Sequence, residues 1–227
     1  EQGVRHRRRE PHIRRRRNKI DGANTMNAKD WYNLLINCQV KPMIAAKWGQ
    51  VFAEVVKPGS FSQGQDEIDD FVGQILHESA GLTRMEEDLK YSAQRLMQVW
   101  PSRFPTLASA APCAYDPVRL ANRVYGGRYG NTEPGDGFMY RGRGPIQLTF
   151  KDNYRRVGDL VGQDLVGIPD LAAQPHFALE IAIAWWEDKI SDELLGDPAK
   201  VRRIVNGSLR GLAEIEHFAG LVRDSFA

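Results

Sequence analysis

Cysteine is scarce in this chain. Cys38 and Cys113 are the only two among 227 residues, they stand far apart, and neither belongs to a metal-ligand spacing, so the sequence carries no disulfide framework and no zinc-site pattern. Two reduced thiols at packed positions fit it best, and a chain made in a reducing cytoplasm agrees with that. No apolar run approaches the roughly 18 residues of a membrane-crossing helix. The basic N-terminus leads into no hydrophobic segment of the signal-peptide kind, so no secretory leader is expected. Residues 126–137, GGRYGNTEPGDG, are rich in glycine but lack the Walker pattern, which removes a phosphate cradle. No internal repeat is visible.

Charge is unevenly spread. Residues 1–25 hold nine of the 31 Lys and Arg but three of the 29 Asp and Glu, so the remainder carries an excess of acids. The net charge of +2 therefore belongs to a basic tail, and 26–227 reads as the globular domain. Such a tail, nearly free of apolar residues, is expected to be disordered when free and suits polyanions: outer-membrane lipopolysaccharide, anionic lipid or nucleic acid. A second reading stands beside it, in which Met26 is the natural start and residues 1–25 are an upstream extension.

From Met26 onward, apolar residues recur at helical spacing. Trp31, Leu34, Leu35 and Cys38 form one stripe, with Asn27 or Asp30 as caps. Ile44, Trp48, Val51, Phe52 and Val55 form the next, ending by Pro58-Gly59. Tyr91 to Trp100 predicts a short helix closed by Pro101. Phe177, Ile181, Ala184 and Trp185 make one stripe, and Leu179, Ile183, Trp186 and Ile190 another, so this helix is apolar on two sides and central. Asp197-Pro198 is a cap followed by proline in the first turn, and Asn206-Gly207 ends the helix it starts. Leu212, Ile215, Ala219 and Val222 stripe the last. The fold class is mainly α.

The chain is organised around residues 71–83, FVGQILHESAGLT. Ile68, Phe71, Val72, Ile75, Leu76 and Ser79 share one helical face, and Glu78 falls beside Phe71 at its edge. Desolvation there is expected to raise the pKa of Glu78, which is what a general acid near neutral pH needs. Glu87 follows nine residues later, on the opposite side of any continuous helix. For the two to cooperate the helix must stop, and Gly81 is the natural C-terminal cap. His77-Glu78 begins the HExxH pattern of zinc proteases, but position 81 is glycine, so that reading is dropped.

Residues 101–137 contain five prolines and are expected to form an irregular loop lining a groove, with Tyr115, Tyr125 and Tyr129 along it. Residues 140–154, YRGRGPIQLTFKDNY, follow. Gly142 and Gly144 allow close backbone approach, and Pro145 is read as leading into a short extended segment. Alternation there puts Gln147 and Thr149 on one face and Ile146 and Leu148 on the other. Gln147, Thr149 and, on the helix that follows, Asn153 are placed to hold a water or a sugar hydroxyl.

HESAG at 77–81, Glu87, YSA at 91–93, YRGRGPIQLTFKDNY at 140–154 and VNG at 205–207 together resemble glycoside hydrolase family 19, and in particular its lysozyme-like phage endolysins of Gram-negative hosts. GRGPIQLT is the most specific of these segments. The resemblance spans Met26 to the C-terminus and implies a two-lobed, lysozyme-like helical domain with a groove for a β-1,4-linked amino-sugar polymer. It implies cleavage with inversion, with Glu78 as acid, Glu87 as base and Thr149 holding the attacking water. Tyr140, Gln147, Asn153 and Asn206 would contact the sugar, while Arg141 and Arg143 brace the loop. Ala80 and the NGS triplet depart from the commoner glycines. Where several family chitinases carry an arginine that interacts with the base, this chain aligns Ile215, with Arg210 nearby.

The expected substrate is the glycan strand of peptidoglycan, and the expected protein is a monomer that needs no metal or organic cofactor. It would wait in the host cytoplasm until a separate membrane lesion releases it to the periplasm. A chitinase acting on N-acetylglucosamine polymers is the nearest alternative. A basic surface- or nucleic-acid-binding protein with an idle lysozyme-like domain is the alternative of another class.

Overall fold

The computed structural model describes residues 26–226, apart from the side chains of Gln65 and Asp66; the basic run 1–25 lies outside the described residues. Its α-helices are α1 (Ala28–Asn37), α2 (Pro42–Val55), α3 (Gln65–Glu78), α4 (Ala93–Val99), α5 (Leu107–Ala110), α6 (Pro117–Tyr125), α7 (Asp136–Met139), α8 (Lys151–Val161), α9 (Pro175–Lys189), α10 (Pro198–Asn206) and α11 (Leu212–Asp224). Among the described residues, β pairing is limited to two isolated antiparallel bridges, Glu86 with Arg143 and Arg143 with Leu148. No described helix is long and apolar enough to cross a membrane.

The caps explain where several helices begin. Asn27 accepts from the amides of Lys29 and Asp30, and Asp30 returns a bond to the Asn27 amide, a reciprocal capping box. Asp197 caps α10 through the Lys200 amide, with Pro198 in the first turn.

Two lobes follow from where the apolar side chains go. The larger core gathers Trp31, Trp48, Phe52, Phe71 and Trp186 from α1, α2, α3 and α9, joined by Val201 and Val222 from α10 and α11. Trp31 stacks on Phe52 at 4.6 Å, and Phe71 meets the edge of Trp186 at 5.4 Å. A second core of Leu96, Phe104, Leu120 and Val124 lies under α4 to α6. A third, of Tyr140, Leu148, Tyr154 and Val157, lies under α8. The two-sided helix α9 joins the first core to the third, giving Leu179 and Ala182 to one and Ile181 to the other.

Two local expectations are corrected. The stretch 101–137 is not one irregular loop, because it contains α6. Asp116 caps that helix through the Arg119 amide, Pro117 starts it, and Leu120, Ala121 and Val124 bury one face. Nor is the segment after Pro145 extended: the Gln147 amide bonds the Gly144 carbonyl at 3.1 Å, closing a turn. Proline sits second in that turn, a position its fixed φ favours, and Gln147 takes a positive φ of 52°.

α3 and α11 cross closely at Gly73. A methyl group there would stand 2.9 Å from the Ile215 carbonyl oxygen and 3.4 Å from the Ala219 amide nitrogen. Backbone cannot yield as a flexible side chain does, so Gly73→Ala is expected to lose about 1–2 kcal/mol, the overpacking cost exceeding the helix-propensity gain. A urea midpoint lowered at unchanged m-value checks this.

Candidate active site

Glu78 is the last residue of α3, and the turn after it is built by Ser79. The buried Ser79 hydroxyl donates to the Ile75 carbonyl and accepts from the Leu82 amide at 2.8 Å; the Ser79 carbonyl accepts from Thr83 and Arg84. Gly81, with φ of 67°, sends its amide back to the Leu76 carbonyl at 2.8 Å. The helix thus stops three residues before the glycine, whose left-handed backbone completes the reversal. Ala80 and Leu82 are left-handed as well, at φ of 51° and 62°, a strain held in part by the Trp48 indole donating to the Leu82 carbonyl at 3.2 Å.

The chain then returns alongside the 142–144 segment. The Gly144 amide bonds the Met85 carbonyl at 2.8 Å, and the Glu87 amide bonds the Gly142 carbonyl at 3.1 Å. This pairing aims the Glu87 side chain at its own partner strand. Its Oε1 accepts from the Gly142 amide at 2.7 Å, and its Oε2 from the Tyr125 hydroxyl at 2.7 Å. Burial pushes the Glu87 carboxyl above the ordinary carboxylate range. The Gly142 and Tyr125 bonds and the positive charges of Arg141 and Arg143 pull the other way.

Glu78 is held differently. Its side chain is 16% exposed and pairs through Oε1 with the Arg202 guanidinium, on the face of α10. Asn206, one turn further along α10, donates to the same oxygen at 3.2 Å. Arg202 is itself fixed by the Gln74 amide oxygen at 3.2 Å and the Arg210 carbonyl at 2.7 Å. The sequence reading had set Glu78 against apolar Phe71 alone; this cation was missing from it.

Glu78 and Glu87 open onto one cavity of about 420 Å³, whose lining also includes Arg84, Asp88, Lys90, Tyr91 and Gln147. Around the Cα of Gly142, a methyl group would stand 2.9 Å from Gln147 Oε1, 3.3 Å from Thr149 Oγ1 and 3.5 Å from the Glu87 carboxyl carbon. Glycine there lets these three groups converge. Thr149 commits its proton to the Gln147 carbonyl at 2.8 Å, leaving the hydroxyl oxygen free to accept from a water. Roomier clefts lie at the end of α8 and beside Asp69 and Asp70, the latter also lined by Asp192 and Arg223.

Of the residues singled out from sequence, Glu87, Gln147 and Thr149 converge on Gly142, and Asn206 joins Glu78. Asn153 is exposed on the first turn of α8, its amide donating to the Thr149 carbonyl at 2.8 Å. Tyr140 lies elsewhere: it is 2% exposed, packed in the third core, with its hydroxyl on the Val166 carbonyl at 3.2 Å. Its ring sits 5.4 Å from that of Tyr154, and it is not among the residues lining the cavity of Glu78 and Glu87. Arg143 reaches the Met139 carbonyl, the Tyr154 hydroxyl and Asp170, and Arg141 reaches Glu86 and the Phe138 carbonyl. Ile215 is buried, and Arg210 engages through its backbone, its carbonyl accepting from Arg202 and its amide donating to Ser208. Arg202 is absent from the sequence-derived set, and Tyr125 appears there only as a groove-lining aromatic, not as a partner of Glu87. Arg202 precedes Asn206 by four residues, hence on the same helical face, and Tyr125 ends a helix whose Asp-Pro start matches that of α10.

A family model described as "Chitinase class I", that of glycoside hydrolase family 19, matches residues 23–194. The chain belongs to glycoside hydrolase family 19. A family 19 domain-containing protein of Haemophilus influenzae is 36% identical over 166 residues, covering 72% of this chain and 81% of that protein. Endochitinase A2 of Pisum sativum is 30% identical over 159 residues, which cover 66% of this chain and 42% of the pea protein. Chitinase C of Streptomyces griseus HUT6037 shares the fold at a TM-score of 0.52 and 19% identity, over 91% of this chain and 75% of that one. The protein is accordingly a chitinase-like glycoside hydrolase of mainly α, lysozyme-like fold.

Tyr125 donates to the ionised form of Glu87, so removing its hydroxyl makes that carboxyl harder to ionise. In Tyr125→Phe the acid limb of the kcat/KM pH profile is expected to move to higher pH, with the alkaline limb unmoved. A full pH–rate profile on a soluble oligosaccharide measures it.

Proposed function

We propose that this protein hydrolyses the β-1,4 bonds of peptidoglycan glycan strands by an inverting two-carboxylate mechanism, as an endolysin whose action lyses the host cell. The supporting observation is the shared cavity, into which two carboxyls on separate elements open, each steered by donors from a different part of the chain.

The hydrogen bonds suit different roles. Arg202 and Asn206 both occupy Oε1 of Glu78, which leaves Oε2 to carry the proton delivered to the glycosidic oxygen. Glu87 is oriented by a donor on each oxygen, and burial raises its affinity for a proton, which suits a general base. A water accepted by the Thr149 hydroxyl gives its proton to Glu87 as it attacks the anomeric carbon from the face opposite the leaving group. Gln147, Asn153 and Asn206 supply sugar contacts, and the reaction needs no cofactor. Residues 26–227 are the catalytic domain in this reading, and residues 1–25 a polyanion-binding tail.

The names of the pea and Streptomyces relatives favour a second substrate, chitin, through the same chemistry. Parallel assays on purified sacculi and on chito-oligosaccharides separate the two: release of new reducing ends from sacculi is expected, and cleavage of chito-oligosaccharides alone would replace peptidoglycan by chitin. Glu78→Gln and Glu87→Gln are each expected to lower turnover by at least about 10²-fold while thermal unfolding shows a folded protein. A folded Glu78→Gln variant that lyses permeabilised cells at the wild-type rate would remove the enzymatic reading. Deleting residues 1–25 is expected to leave the rate on bare sacculi unchanged and to slow attack on cells with an intact outer membrane.

A further inference from the structure

Three arginines close to the two glutamates, none of them on the cavity lining, are committed. Arg202 pairs with Glu78, Arg141 with Glu86, and Arg143 with Asp170 at 2.6 Å. Arg84 and Lys90 differ. Both line the cavity that holds Glu78 and Glu87, both are exposed, and neither side chain has an ion pair or hydrogen bond among the described residues. Only their backbone amides are engaged, Arg84 with the Ser79 carbonyl at 2.8 Å and Lys90 with Asp88 Oδ1 at 2.9 Å. The cations that weigh most on Glu87 are Arg141 and Arg143.

A neutral polymer such as chitin offers no charge with which these two cations could pair. They do suit a substrate with an anionic substituent next to the scissile bond. We propose that Arg84 and Lys90 form a carboxylate-binding rim of the cleft, selecting an amino-sugar polymer that carries an acid on alternate sugars. In a bacterial wall strand that acid is the lactyl carboxylate itself or a carboxylate of the peptide attached to it. The proposal rests on the hydrolase reading above and assigns its substrate preference to two residues outside the acid–base pair.

The test compares wild type with an Arg84→Gln/Lys90→Gln variant on three substrates: peptide-free glycan strands with free lactyl carboxylates, peptide-bearing sacculi, and neutral chito-oligosaccharides. The ratio of kcat/KM on strands to that on oligosaccharides is expected to fall about tenfold in the variant, through KM rather than kcat. The wild-type ratio should fall with added salt and the variant's should not. A drop confined to peptide-free strands assigns the rim to the lactyl carboxylate, and one confined to sacculi assigns it to the peptide. A ratio unchanged within twofold on both would overturn the rim while leaving the hydrolase reading intact. A wild type that cleaves none of the three substrates would overturn the hydrolase reading itself.

Discussion

Gly142 grips Glu87 twice, accepting its backbone amide at 3.1 Å and donating its own amide to its carboxylate at 2.7 Å. The rest of the site depends on that short antiparallel contact. Because strand pairing fixes both the position of a residue and the side from which its side chain leaves, this contact delivers a buried carboxyl to a defined point without a helix or sheet of its own. The absence of a side chain on Gly142 lets Gln147 and Thr149 share the same point. The desolvation that raises the Glu87 carboxyl and the donors that oppose it come from the same compact arrangement.

The facing carboxyl is fixed by another principle. Glu78 ends a helix, and its cation and amide partners stand one turn apart on α10, so the orientation of one side chain reports the docking of two helices. That docking is set in turn by the larger core, where α3 and α11 meet with no room for a methyl group at Gly73. A mutation deep in the core is therefore coupled to Glu78 through helix position, whereas Glu87 is insulated by its local backbone pairing.

Much of this was legible in the sequence because it rests on local rules. Helical periodicity located α1, α2, α3, α9, α10 and α11, and capping chemistry at Asn27 and Asp197 placed helix starts. The need to reverse the chain between Glu78 and Glu87 pointed to Gly81, although the helix itself stops at Glu78. What escaped depends on tertiary placement. Alternation suggested a strand through Gln147, but a proline in the second position of a tight turn overrode it. Tyr140 is expected among the sugar contacts, yet its ring packs in a core and its hydroxyl bonds the Val166 carbonyl. Arg202 and Tyr125 are partners across more than 35 residues of chain, and no window of local sequence reveals such pairs. The Asp116-Pro117 signature of α6 was present and was hidden among the prolines around it.

Both carboxyls are assigned to one displacement, with a water entering on the side of Glu87 while the bond breaks on the side of Glu78. The most direct measurement is the anomeric configuration of freshly formed reducing ends, followed by proton NMR before mutarotation equilibrates them. Attack by a water held between Glu87 and the sugar predicts the α-anomer first from a β-linked strand. Initial release of the β-anomer would mean that a covalent or substrate-assisted intermediate replaces that water, and would contradict the account.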